Sequence, residues 1–100
     1  MKVIMRTTVK VVPGKMAEYM EVEKKSQAIS DRYGMPPWKR YSCLSGDSMH
    51  TIVYDMEWDS LAAIEAAFEK MFIDPERQEL MAKSDAVIVS HKNEFYMPMP

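Results

Sequence analysis

The punctuation of this chain admits one order of elements. Pro13-Gly14 stops the first apolar segment, because Pro presets the first angle of a type II turn and Gly accepts the positive φ of the second. Gly34 stands where a helix ends, and Pro36-Pro37 forbids its continuation. Ser45-Gly46-Asp47-Ser48 reads as a hairpin turn. Asp59 or Ser60 offers an oxygen to cap a helix. Asp74-Pro75-Glu76 marks another helix start: a capping acid, Pro in the first helical position, then an acid favoured by the helix dipole.

Between these stops the hydrophobic period switches from strand to helix and back. Met1 to Val12 alternates, with Val3, Met5, Thr7 and Val9 on one face and Ile4, Arg6 and Thr8 on the other. Met16, Tyr19, Val22, Ser26, Ile29 and Tyr33 form a helical stripe. Trp38 to Leu44 and Met49 to Glu57 read as paired strands, with Ile52, Tyr54 and Met56 sharing a face. Leu61, Ile64, Phe68, Met71 and Phe72 are the apolar stripe of a second helix, and a short third helix carries Leu80 and Met81. Ala86 to about Glu94 is the last strand, with Val87 and Val89 expected toward the helices, followed by an extended tail, FYMPMP. The order βαββαβ predicts an α+β, ferredoxin-like split fold over residues 1–100 as one domain. Its antiparallel four-stranded sheet takes the order four-one-three-two, with helices on one face.

The face without helices is expected to hold Ile4, Arg6, Thr8, Thr51, Val53, Asp55, Ile88 and Ser90. Apolar residues on central strands there imply a covering partner, and a homodimer pairing sheet to sheet supplies one. Ile4, Arg6, Val53 and Asp55 are the candidate interface residues, with Arg6 and Asp55 placed to pair across adjacent strands.

Composition removes several function classes. The formal net charge is −2 and no basic block occurs, so nucleic acid is not an expected partner. No apolar run approaches the ~20 residues of a membrane span, and the N-terminal apolar run is broken by Arg6, Thr7, Thr8 and Lys10, unlike a secretory signal. A single cysteine, Cys43, suits a reducing cytoplasm. No phosphate loop or dinucleotide fingerprint is present, so no cofactor is implied.

The stretch from Tyr54 to Met81, with Trp58-Asp59-Ser60-Leu61 and then Asp74-Pro75-Glu76, resembles the NIPSNAP family, and Val11-Val12-Pro13-Gly14-Lys15 resembles the antibiotic-biosynthesis monooxygenase-like superfamily around it. One departure stands out: an aromatic commonly follows Asp-Pro-Glu, and this chain has Arg77. The resemblance implies a dimeric α+β barrel. It implies little chemistry, because the family's activity is poorly defined. Trp58 is read as the anchor of a helix to a sheet.

The sheet-to-helix gap is the expected site. His91, Thr7, Tyr54 and Tyr19 all fall on that side and would give an apolar cavity a few polar groups for a small apolar or aromatic ligand. The superfamily also includes enzymes that oxidise aromatic substrates without metal or flavin, and for that reaction His91 is the candidate catalytic base. A protein-interaction module is the third reading. Asp55 and Glu57 form an i, i+2 carboxylate pair suited to acid-base work only in a cleft. His50 and His91 lie two strands apart, on the order of 10 Å, with several residues of offset, so no metal site is expected.

Overall fold

A computed structural model describes residues 1–47 and 49–100. Ser48, which the sequence places in the hairpin turn, lies outside the described residues. The elements follow the order β1 (Val3–Val11), α1 (Met16–Arg32), β2 (Lys39–Ser42), β3 (Thr51–Trp58), α2 (Leu61–Phe72), α3 (Pro75–Asp85) and β4 (Ile88–Tyr96). Strand order is β2-β3-β1-β4, with every neighbouring pair antiparallel.

Local chemistry explains the boundaries. The Lys15 amide donates to the Val12 carbonyl at 3.0 Å, and Gly14 takes φ +84 to close that turn. Ser60, not Asp59, caps α2: its side-chain oxygen accepts from the Ala63 amide at 3.1 Å, while Asp59 takes the Lys2 ammonium at 2.6 Å. Asp74 caps α3 by accepting from the amides of Glu76 at 2.8 Å and Arg77 at 3.2 Å. Its other oxygen accepts from the Tyr33 hydroxyl at 2.5 Å and from Arg32 at 3.2 Å, which locks the end of α1 to the start of α3.

The expected dimeric α+β barrel is not what the chain forms. Its sheet is open, with β2 and β4 as its two edges. Closure requires tilted strands meeting in a continuous ring, and about eight strands enclose just enough interior for side chains to fill. Four strands under one layer of helices remain a layered α+β sheet.

Facing along β4 also differs from the simple alternation. Val9 pairs with His91 and Lys10 with Ser90, but Val11 pairs with Ile88, so the register shifts and β4 carries one extra residue. Ile88 therefore turns toward the helices, where it packs against the core cluster that contains Val11 and Val87, and Val89 is 58% exposed. His91 and Asn93, beyond the irregularity, face the helix side opposite Val9 and Thr7.

Trp58 sits 4% exposed beside Val3, Met5, Met56 and Ile64, with the Phe68 ring tilted against it at 6.3 Å. Among the described residues its indole N–H has no hydrogen-bond partner. This residue is a packing anchor, as the sequence suggests. Trp58→Ala is expected to cost about 3–5 kcal/mol, whereas Trp58→Phe, which removes an unsatisfied donor, is expected to cost less than about 1.5 kcal/mol. Urea unfolding of both variants checks this, and a Phe variant as unstable as the Ala variant would contradict it.

Candidate functional site

Between the sheet and the helices lies a cavity of about 260 Å³. Thr7 from β1, Tyr19 from α1, Tyr54 from β3 and His91 from β4 all border it. Its apolar wall is dominated by Met5, Met35, Met56, Met71 and Met81 with Phe68. Five of the eleven methionines thus line one space, where unbranched thioethers conform to an irregular wall.

One end of the cavity is polar and internally hydrogen-bonded. The Tyr54 hydroxyl donates to Glu23 Oε2, and Arg40 grips the same carboxylate at 3.0 and 3.1 Å. Tyr19 and Tyr54 oxygens are 2.7 Å apart. Because the Tyr54 proton goes to Glu23, Tyr19 is the donor in that contact, and the Tyr19 oxygen keeps its acceptor lone pairs. Burial first, then the bond to Glu23, pushes the Tyr54 phenol far above the ordinary tyrosine value. Burial likewise raises Tyr19. Both phenols are therefore neutral hydrogen-bonding groups near pH 7, not phenolates. Trp38 packs its edge against Tyr54 at 5.3 Å and closes this end.

His91 lies on β4, an edge strand, and is exposed at the rim of the cavity. Beside it, the Thr7 hydroxyl donates to Asn93 Oδ1 at 2.7 Å. His50 is elsewhere: its Nδ1 meets Asp47 at 2.9 Å and its carbonyl accepts from the Val11 amide. Measured along β1, His50 and His91 are offset by only about two residues, less than the sequence suggested, but β1 still separates them. Among the described residues no group of three His, Cys, Asp or Glu side chains is placed to hold a metal ion.

Sequence reasoning missed Glu23, Trp38, Asn93 and Arg77, all of which border the cavity. Glu23 stood next to Val22 on the inward stripe and four residues after Tyr19, which was the available signal.

The opposite face carries Ile4, Arg6, Val53 and Asp55, as the alternation places them. Arg6 and Asp55 are cross-strand partners joined by two hydrogen bonds of 2.8 and 2.9 Å, with the Tyr96 ring 5.7 Å from the guanidinium. Glu57, the other member of the carboxylate pair, is exposed and 3.9 Å from Lys2. Asp55 is thus committed to Arg6 and does not form an acid-base pair with Glu57.

An open antiparallel sheet under one helical layer, with an apolar cavity between them, defines an α+β protein of the split βαββαβ kind. The chain belongs to the NIPSNAP family, whose family model matches residues 6–100. A NIPSNAP family protein from Agrobacterium tumefaciens shares the fold with TM-score 0.86 at 17% identity, over 99% of this chain and 94% of that one. A NIPSNAP domain protein from Burkholderia xenovorans does so with TM-score 0.82 at 21% identity, over 99% and 95%. A cofactor-independent oxygenase from Streptomyces nogalater also shares the fold, with TM-score 0.69 at 16% identity, over 99% of this chain and 94% of that one. No curated protein matches the chain. No helix among the described residues is long and apolar enough to cross a membrane.

The Arg6 pair gives a pH dependence. Its hydrogen bond and charge hold the Asp55 carboxyl below the ordinary carboxylate value in the folded chain. The folded state then binds that proton less readily than the unfolded state. The resulting stabilisation is complete above the unfolded value near ~3.9 and is lost as pH falls through the lower folded value. Asp55→Asn is expected to flatten the acid limb of a stability-versus-pH curve below about pH 4. An acid limb of unchanged slope would disprove the assignment.

Proposed function

We propose that this NIPSNAP protein binds a small apolar or aromatic molecule between its sheet and its helices. The supporting observation is the methionine-lined cavity of about 260 Å³ with a fixed polar end. A dry apolar cavity of roughly 150 Å³ already accepts benzene, so one substituted ring or a short chain fits. Thr7, Tyr19, Tyr54 and His91 are the ligand-contacting residues in this reading, with the Tyr19 oxygen accepting from any hydroxyl the guest carries. Ser26, on the α1 wall, tests it. Ser26→Phe is expected to fill the space and abolish saturable binding of 4-phenyl-1-butanol in calorimetry while circular dichroism stays native. Undiminished binding would refute the location.

A second reading is cofactor-independent oxidation of an aromatic substrate, with His91 as the base. It is favoured by the position of His91 on the cavity rim and by the fold shared with the oxygenase. Oxygen uptake with a quinol that disappears in His91→Ala would favour it over binding alone.

The chain also acts as a homodimer in this proposal, through the face bearing Ile4, Arg6, Val53 and Asp55. Ile4 and Val53 are only half-buried in one chain, and apolar side chains on central strands favour a covering partner. Its free thiol, Cys43, suits the cytoplasm. Arg6→Glu sets two acids opposite each other and is expected to convert a dimer to a monomer in light scattering at micromolar concentration. A wild-type monomer would leave that face to another protein.

A further inference from the structure

Three of the four arginines are matched with carboxylates. Arg6 holds Asp55, Arg32 holds Asp74 and Glu76, and Arg40 holds Glu23. Arg77 is the fourth, and among the described residues no carboxylate lies within ion-pair distance of its guanidinium. It borders the cavity, half-buried, with its guanidinium carbon 4.9 Å from the Phe72 ring centroid. Phe72 in turn stacks at 5.7 Å on Phe68, which is part of the cavity wall. The cation thus rests on an aromatic shelf at one end of an apolar space.

An unpaired, partly dehydrated cation is costly unless something answers it. Burial lowers the Arg77 pKa from its ordinary value, and the charge of Asp74 only partly opposes that effect. Asp74 itself is occupied by the cap, Tyr33 and Arg32. The other charged groups on the cavity do not neutralise Arg77. Glu23 is held by Arg40 and Tyr54. Asp85 lies eight residues further along α3, about 12 Å away at 1.5 Å per residue. Arg77 also falls in the first turn of α3, where the helix dipole adds to the positive potential.

We infer that the guest of this cavity is a carboxylic acid, its apolar body among the methionines and its carboxylate on the planar fork of Arg77. This rests on the ligand-binding reading above and narrows it. Guanidinium meets carboxylate through two parallel N–H···O bonds, which no neutral analogue reproduces. The geometry further orients the guest, acid group toward the start of α3 and body toward the Tyr19–Tyr54 end.

The test compares 4-phenylbutyrate with 4-phenyl-1-butanol, which share a body and differ in the head group, by calorimetry on the full chain. The acid is expected to bind about tenfold more tightly or better. Arg77→Met keeps an unbranched apolar stem against Phe72 and is expected to erase the difference between acid and alcohol. Arg77→Lys keeps the charge without the fork and is expected to fall between, which also guards against a folding defect in the Met variant. Equal binding of acid and alcohol by the unaltered protein would overturn the carboxylate inference and leave the cavity reading standing. An acid preference that survives Arg77→Met would overturn the role of Arg77. Binding of neither compound would overturn both readings together.

Discussion

A carboxylate on the inward stripe of a helix has to be answered, and Glu23 on α1 is answered from two strands. Its side chain is 12% exposed, too little for water to hold the charge. Tyr54 on β3 donates to it and Arg40 on β2 grips it. Tyr19, one turn earlier on α1, completes the group through the Tyr54 oxygen. These contacts fix the separation of α1 from the sheet at that end, since polar groups must meet at hydrogen-bond distance. The methionines beyond them border the space that this spacing leaves.

A second polar clamp holds the other end of α1. Asp74 is simultaneously the cap of α3 and the acceptor for Tyr33 and Arg32. Between the two clamps the α1–α3 contact is apolar, with Val22 and Ile29 against Leu80. Running antiparallel in this way, α1 and α3 form one continuous wall of the cavity. The cap decides where α3 starts, and so places Arg77 in its first turn over the aromatic shelf.

Much of this was legible in the sequence, for reasons tied to particular residues. Pro13-Gly14, Gly34 and Asp74-Pro75 act locally, so the turn, the helix end and the cap follow from their own chemistry. The strict alternation of β1 and β3 fixed the faces of Thr7, Tyr54, Arg6 and Asp55. On β4 alternation misled: one extra residue against Val11 turned Ile88 inward and Val89 outward, and nothing about Ile88-Val89-Ser90 announces it. Closure into a barrel was carried by resemblance alone, and the edges β2 and β4 stay open. Glu23 was missed because its partners are distant in the chain, and Arg77 because the lack of a partner shows only once the chain is folded. A periodic search for apolar residues passes over a buried acid whose answering hydroxyl lies 31 positions away.

The distribution of protons bears on what the cavity can do. Proton abstraction requires a group that is basic near neutral pH and within reach of the guest. Tyr19 and Tyr54 are pushed the wrong way by burial, so neither is a phenolate. Glu23 is already engaged by the Tyr54 hydroxyl and the Arg40 guanidinium. That leaves His91, exposed on an edge strand at the rim. The interior offers a cavity, one acceptor oxygen and one unanswered cation. The proposed binding needs only these groups, whereas turnover would require a substrate to present its proton at the rim.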